Sequence, residues 1–125
     1  MKLAKPKESL RAAELCLAQD LPNSTANRCY YAMFQSAVVA LEHAGFQRES
    51  WSHPALQATF TNELIRRKKV FPAQLSTYLN RAAYWRNIAD YSPQDISTKH
   101  AEQLFHWAKD FAAKIEQEVA NENQK

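Results

Sequence analysis

Apolar residues recur at intervals of three and four along nearly the whole chain, which is the spacing of amphipathic helices. Prolines, a glycine and serine-rich stretches divide this pattern into five segments. The short connections between them predict antiparallel neighbours, so we expect an all-α, five-helix antiparallel up-and-down bundle. The chain is expected to form one domain, 1–125, with its core over about 7–117. The predicted helices cover about 7–19, 24–44, 53–69, 72–90 and 98–120, and the tail 121–125 is expected to fray.

Several residues are expected to cap these helices. Gly45 follows the second helix at the position where a left-handed cap residue belongs. Ser52 and Ser97 precede the third and fifth helices and are good N-caps. The expected inward faces are Leu10, Ala13 and Leu17; Tyr30, Met33, Phe34, Ala37 and Leu41; Leu56, Phe60 and Leu64; Leu75, Leu79, Ala83 and Ile88; and Leu104, Phe105, Trp107, Ala108, Phe111 and Ile115.

Composition narrows the function classes. Only 1 of 125 residues is glycine, which argues against β-rich folds and removes glycine-rich phosphate loops from consideration. A net charge of +3 permits contact with phosphates without predicting it. Cys16 and Cys29 show no metal-ligand spacing and read as reduced thiols, so we expect a cytoplasmic protein with no metal and no cofactor. We find no signal-peptide pattern and no apolar run long enough to cross a membrane.

The first group that could carry chemistry lies in the second helix, over 27–34. Arg28 and Tyr31 are three residues apart and therefore share a face of that helix. An arginine beside tyrosines can offer planar donors to a phosphate and rings on which a base stacks. The alternative is an arginine whose stem lies along the core, with the tyrosine hydroxyls at its rim.

The second group closes the fourth helix, over 84–91. Arg86 and Asp90 are four residues apart and meet on one side, bracketed by Trp85 and Tyr91. Such a pair is commonly a surface salt bridge of small energy. When it is partly buried, the aspartate can instead hold the guanidinium in a fixed pose for a ligand. The sequence alone leaves both interpretations open.

The third group opens the third helix at Ser52-His53-Pro54. His53 stands where helix amides point outward and anions are welcome, although a histidine at a helix start is usually structural. The other histidines, His43, His100 and His106, lie in separate neighbourhoods. We find no spacing typical of a metal site and no Ser-His-Asp arrangement.

Together these segments resemble the HEPN family of helical domains over about 24–115. The resemblance is carried by Asn27-Arg28-Cys29-Tyr30-Tyr31-Ala32-Met33-Phe34, by Ser52-His53 followed by Phe60, and by Arg86-Asn87-Ile88-Ala89-Asp90-Tyr91. It is greatest to the branch of the family marked by an R-x-x-A-D-Y stretch. The resemblance implies an up-and-down bundle that forms homodimers, with the arginine motif near the dimer interface. It also implies a minimal nucleotidyltransferase as antitoxin partner in a toxin–antitoxin pair.

One departure from the family bears on activity. Its ribonuclease members carry R-x(4–6)-H, in which arginine and histidine promote attack of a ribose 2′-hydroxyl on the adjacent phosphate. Here Tyr91, Ser92 and Pro93 occupy the positions of that histidine. Asp90 is a poor substitute, because a carboxylate paired with an arginine is a weak base near neutral pH and repels a phosphate. We therefore expect a protein that is not an enzyme, unless His53 replaces the missing histidine.

The sequence thus favours a cytoplasmic, homodimeric HEPN-like protein that binds a nucleotide, RNA or a nucleotidyltransferase. One alternative is a divergent metal-independent ribonuclease toxin, with Arg86 and His53 as its candidate catalytic residues. Another is a structural homodimer in which the same polar network only fixes helix register. The candidate nucleotide- or RNA-binding residues come from three predicted helices: Arg28, Tyr31, His53, Arg86, Asn87, Asp90 and Tyr91.

Overall fold

Five helices make up the part of the chain that the computed structural model describes, residues 3–123, with side chains described for 3–121. No β-strand occurs within that range, which confirms the predicted all-α class. Helix α3 continues directly into a π-helical segment, and the two together fill the third predicted helix. The elements are α1 (Ala4–Ala18), α2 (Pro22–His43), α3 (His53–Thr59), the π-helical segment (Phe60–Arg67), α4 (Ala73–Tyr91) and α5 (Thr98–Asn123).

The expected caps are present. Gly45 has φ +97°, and the backbone N–H of Phe46 donates to the Leu41 carbonyl oxygen at 2.8 Å while that of Gly45 donates to Glu42. This is a Schellman motif, which needs a left-handed residue that glycine adopts without strain. Ser52 Oγ accepts from the Ala55 amide at 3.2 Å.

Ser97 Oγ likewise accepts from the amide of His100, at 3.1 Å, so the start of α5 is capped as predicted. Two helix ends use left-handed residues other than glycine: Asp20, with φ 60°, follows α1, and Lys69, with φ 53°, follows the π-helical segment. The last helix continues to Asn123, beyond the point at which fraying was expected. The final two residues of that predicted tail, 124 and 125, lie outside the described residues.

The π-helical segment was not predicted. Leu56, Phe60 and Leu64 are spaced by four residues each time and are all buried. In an α-helix of 3.6 residues per turn, positions four apart drift steadily round the axis. A π-helical turn is wider, so the drift reverses there. One α turn followed by one π turn therefore keeps the three side chains on one face.

Helix α2 lies at the centre of the bundle and packs against α1, α5 and α4. The core contains a phenylalanine cluster, Phe60, Phe71 and Phe111, in which the Phe60 ring centroid lies 5.7 Å from that of Phe71 and 5.5 Å from that of Phe111. Most predicted inward residues are buried. Those that are only partly buried pack against the core from its edge: Leu10, Leu17, Phe34, Ala83, Ile88, Phe105 and Trp107.

Among the described residues, no helix combines the length and the apolar character needed to cross a membrane.

Candidate functional site

The candidate residues of α2, α3 and α4 lie together on one side of the bundle. Arg28 and Arg86 both approach Tyr31, with guanidinium carbons 5.2 Å and 5.6 Å from its ring centroid. His53 also lies against Tyr31, with ring centroids 6.2 Å apart. The structure therefore unites the three groups that periodicity alone could not join. We call the set the Arg86 cluster: Asn27, Arg28, Tyr30, Tyr31, His53, Arg86, Asn87, Asp90 and Tyr91.

A closed circuit of polar contacts links α2 to α4. Arg28 Nε donates to Asn27 Oδ1 at 2.9 Å, and Asn27 Nδ2 donates to Asp90 Oδ2 at 3.0 Å. The same Asp90 oxygen lies 3.2 Å from Arg86 Nε. Arg86 Nη2 donates to the Tyr31 hydroxyl at 3.3 Å, and the circuit returns to Arg28 over the Tyr31 ring. The circuit thus contains two guanidinium groups and one carboxylate, which leaves an excess positive charge.

Arg86 occupies the centre of the cluster. Its guanidinium carbon lies 5.7 Å from the ring centroid of Tyr30 and 5.6 Å from that of Tyr91, and its side chain is only 16% exposed. The Nε–H is not aligned with Asp90 and is a buried donor without a hydrogen bond. Nη1 makes a single long bond, 3.3 Å, to Asn87 Oδ1. A guanidinium has five N–H donors, and this one is held mainly by charge and by rings.

His53 is positioned by a fully buried tyrosine. Tyr30 is 0% exposed, its hydroxyl is hydrogen-bonded to His53 Nδ1, and the two rings stack with centroids 5.3 Å apart. Phe34 packs on the imidazole from another side, with centroids 5.0 Å apart. A buried tyrosine needs a polar partner for its hydroxyl, and the histidine supplies it.

The protonation states follow from burial and from Arg86. Burial, with the nearby Arg86 charge as a second cause, lowers the pKa of His53, so the imidazole is neutral at pH 7. Burial raises the pKa of Tyr30, against the opposing effects of a Gln57 side-chain hydrogen bond and of Arg86. Burial also raises the pKa of Cys29 to about 12, with Cys16 adding to it. Neither a thiolate nor a phenolate nucleophile is therefore available from Cys29 or Tyr30 near neutral pH.

Two concave surfaces adjoin the cluster. An open groove of about 680 Å³ runs between the end of α1, the start of α2 and the end of α4, and Arg28, Asp90 and Tyr91 line it. A mostly apolar cavity of about 560 Å³ lies between α1, α2 and the loop before α3. Its walls include Tyr31, which belongs to both the cavity and the cluster, and Trp51, over which Arg48 stacks at 4.4 Å.

Two residues of the cluster were missed as site residues. Asn27 connects Arg28 to Asp90 across a sequence separation of 63 residues, which no spacing rule reveals. Tyr30 was assigned to the core only. The need of a buried tyrosine for a polar partner is a signal that could have identified it. Within the described residues, no group of three His, Cys, Asp or Glu side chains is placed to hold a metal ion.

Compared with models of known protein families and with curated proteins, the chain gives no match to either. The likeness to HEPN domains therefore stays a prediction that rests on the motifs themselves.

Proposed function

We propose that the Arg86 cluster binds the phosphate of a nucleotide or of single-stranded RNA, without cleaving it. The observation that carries this proposal is the state of Arg86. Its guanidinium lies among three tyrosine rings, is largely withdrawn from water, and makes only two long hydrogen bonds through its terminal nitrogens. Charge-assisted bonds from these terminal nitrogens to a phosphate would be stronger than the two long bonds that they make in the free protein.

The charges around Arg86 support an anionic ligand. Arg28 and Arg86 carry two positive charges and Asp90 one negative charge, while His53 is neutral at pH 7. Asp90 is 26% exposed and is held by Asn27 as well as by Arg86. Its role in this proposal is to orient the guanidinium, and the second arginine offsets its repulsion of a phosphate.

Aromatic rings beside the arginines support a base next to the phosphate. Tyr91 is 76% exposed and lies against the Arg86 guanidinium. On the other side, Tyr31 forms a wall of the 560 Å³ cavity, a size that suits a nucleoside. Stacking of a base on such rings is tolerant of sequence and adds to the affinity of the phosphate contacts.

The family-level part of the proposal is an up-and-down HEPN-like homodimer that pairs with a nucleotidyltransferase as toxin and antitoxin. Tyr84 and Tyr91 support a protein interface, because they lie seven residues apart on one face of α4 and are 59% and 76% exposed. We expect sedimentation to show a dimer at micromolar concentration. A chain that stays monomeric at high concentration would contradict this part and leave the phosphate proposal standing.

A second function, metal-independent RNA cleavage, is favoured by one observation. His53 and Arg86 both lie against the rings of Tyr30 and Tyr31, so a histidine from α3 stands near the arginine although positions 91–93 lack one. Against cleavage, His53 Nδ1 is already bonded to Tyr30, and Asp90 places a negative charge beside the phosphate. We keep cleavage as the alternative outcome of the experiment below.

The experiment measures binding and cleavage together. Fluorescence anisotropy follows a labelled single-stranded RNA with wild type, Arg86→Ala and Arg81→Ala, and gel electrophoresis of the same samples follows cleavage. Arg81 is the matched control, since it also lies over an aromatic ring of a neighbouring helix, Trp107, and stands on α4. We expect Arg86→Ala to weaken binding by about 1 to 3 kcal/mol and Arg81→Ala to leave it unchanged.

Added salt should weaken the wild-type binding, because phosphate contacts release counterions. Competition with adenosine monophosphate and with inorganic phosphate separates the ligand forms. RNA cleavage that disappears in Arg86→Ala would establish the ribonuclease alternative. Absence of both binding and cleavage would leave the polar circuit as a structural tie between α2 and α4.

A further inference from the structure

The hydrogen bond between Tyr30 and His53 fixes more than the position of a ring. In a neutral imidazole one nitrogen carries a proton and the other accepts, so the partner of one nitrogen decides what the other can do. His53 has its Nδ1 on the Tyr30 hydroxyl, and the two rings are held in stacked contact. The Nε2 atom has no protein partner among the described residues. It is not buried either, so it is open to solvent or to a ligand.

The direction of this hydrogen bond follows from the surroundings of Tyr30. Tyr30 is 0% exposed, and the one close hydrogen bond of its hydroxyl among the described residues is to His53 Nδ1. A buried O–H that donates to nothing costs free energy, whereas a phenol oxygen can leave a lone pair unused. The one proton of the phenol therefore goes to His53 Nδ1.

We infer that Tyr30 is a positioning residue that locks neutral His53 in the tautomer with its proton on Nε2. His53 therefore offers a hydrogen-bond donor to a phosphate oxygen at the Arg86 cluster and does not accept a proton from a ribose hydroxyl. This inference rests on the proposed function for its ligand, but the tautomer itself is a property of the free protein.

The role is distinct from both roles usually given to a histidine. A general base needs an unprotonated nitrogen facing the substrate, and here that nitrogen faces Tyr30. A general acid needs an imidazolium, which burial and, secondly, the charge of Arg86 disfavour. A neutral histidine that only donates a hydrogen bond is an established electrophilic device in enzymes, and it suits recognition of an anion.

Phosphate binding by a neutral His53 should depend on pH in a characteristic way. The groups that face His53 are Tyr30 and Tyr31 from α2 and Arg86 from α4. Since the donor is already present on the neutral ring, affinity for a phosphate should change little between about pH 7 and pH 9. It should rise at acidic pH, once the pH falls to the lowered pKa of His53 and the imidazole gains a positive charge. A site that needs an imidazolium would instead lose affinity steadily above neutral pH.

The decisive measurement is the long-range ¹H–¹⁵N correlation spectrum of protein labelled with ¹⁵N-histidine, at pH 8 and without ligand. His53→Gln assigns the signal, and exposed His43 serves as the internal reference. We expect Nε2 of His53 to show the protonated type of shift and Nδ1 the unprotonated type. A protonated Nδ1 in the wild-type protein would overturn the inference, and this result needs no variant that must fold.

Tyr30→Phe tests the cause of the lock, with Tyr78→Phe as the matched control for loss of a tyrosine hydroxyl on a ring that also stacks on an aromatic neighbour. We expect a mixture of tautomers in Tyr30→Phe and about a three- to ten-fold loss of affinity for a labelled oligoadenylate. Tyr78→Phe should change neither. An unchanged His53 tautomer in folded Tyr30→Phe would overturn the role of Tyr30.

The two proposals fail separately. If His53 shows the expected tautomer but the protein binds neither oligoadenylate nor inorganic phosphate, the proposed function is overturned and the role of Tyr30 in fixing the tautomer stands. If the protein binds these ligands in a salt-sensitive way but His53 is protonated on Nδ1, the inference about the tautomer is overturned and the phosphate site stands.

Discussion

The molecule contains two aromatic clusters of opposite character. In the phenylalanine cluster, three rings stack with no polar atom among their side chains; Phe60 and Phe111 are fully buried, and Phe71 is 7% exposed. In the Arg86 cluster, rings at similar distances carry hydroxyls, an imidazole and a guanidinium, and two concave surfaces open beside them. The distances between ring centroids are similar in the two clusters, so the clusters differ mainly in the polar atoms that their side chains carry. The first cluster fills the core, and the second is the one that we propose for contact with a ligand.

The two cysteines give the largest contrast between sealed and open regions. Cys29 is fully buried on α2 with its pKa raised to about 12, whereas Cys16 is half-buried and lines the groove beside Arg28. A rise from 9.0 to about 12 lowers the thiolate fraction of Cys29 by about a thousandfold. We expect a disulfide reagent to titrate one thiol in the native protein and two in denaturant. Two rapidly reacting thiols in the native protein would show that α2 is not sealed.

Truncation within the phenylalanine cluster should have the largest effect on stability. Phe111→Ala removes a ring with 0% exposure and leaves a cavity, so we expect the free energy of unfolding to fall by about 3 to 5 kcal/mol. Phe105→Ala is the matched control, because this partly buried ring of α5 should cost less. Urea denaturation followed by circular dichroism measures both. Equal losses would mean that the core does not depend on the sealed rings.

Arg86→Ala should reduce the affinity for a ligand more than it reduces the stability of the fold. It removes one ion pair and contacts with rings that remain packed, so we expect a loss of about 1 kcal/mol of unfolding free energy beside the loss of affinity given above. The same denaturation assay measures it, with Arg81→Ala as the reference. A loss of unfolding free energy as large as that of Phe111→Ala would mean that the Arg86 cluster stabilises the fold as much as the phenylalanine cluster does.

His53 should add a small dependence of stability on pH. Its pKa in the folded protein lies below the unfolded value of 6.5, so the unfolded chain takes up a proton first as the pH falls. The folded state therefore loses stability as the pH drops below about 6.5, and this effect is absent well above that pH. We expect a flatter pH profile of unfolding free energy for His53→Gln than for wild type. Equal pH dependence of the unfolding free energy in the two proteins would mean that the pKa of His53 is the same in the folded and the unfolded chain.

The sequence predicted the helices well because each is specified by its own residues. Periodicity placed five segments, and Gly45, Ser52 and Ser97 marked ends that the backbone hydrogen bonds confirm. The π-helical turn was missed because a spacing of four was interpreted as ordinary α-helix. The same spacing occurs at Leu75, Leu79 and Ala83 in α4, which is α-helical throughout, so spacing alone does not reveal the π-helical turn.

The site was predictable only as fragments. Spacing paired Arg28 with Tyr31 and Arg86 with Asp90, because those contacts lie within one helix. The contact of Tyr30 with His53 spans 23 residues and depends on how α3 docks on α2. Such contacts depend on how separate helices pack together, so the periodicity within one helix cannot predict them. Only the resemblance to HEPN domains joined the fragments in advance.

The left-handed residue at Lys69 points to where this chain can tolerate change. A lysine in that conformation is strained by its Cβ atom, and glycine is not, so Lys69→Gly should gain about 1 kcal/mol of stability. Natural selection rarely removes such strain once a protein folds well enough to work. Lys69 lies at the far end of the third helix from His53. It is a place where an engineered background can be made robust, so that damaging changes in the Arg86 cluster still yield folded protein.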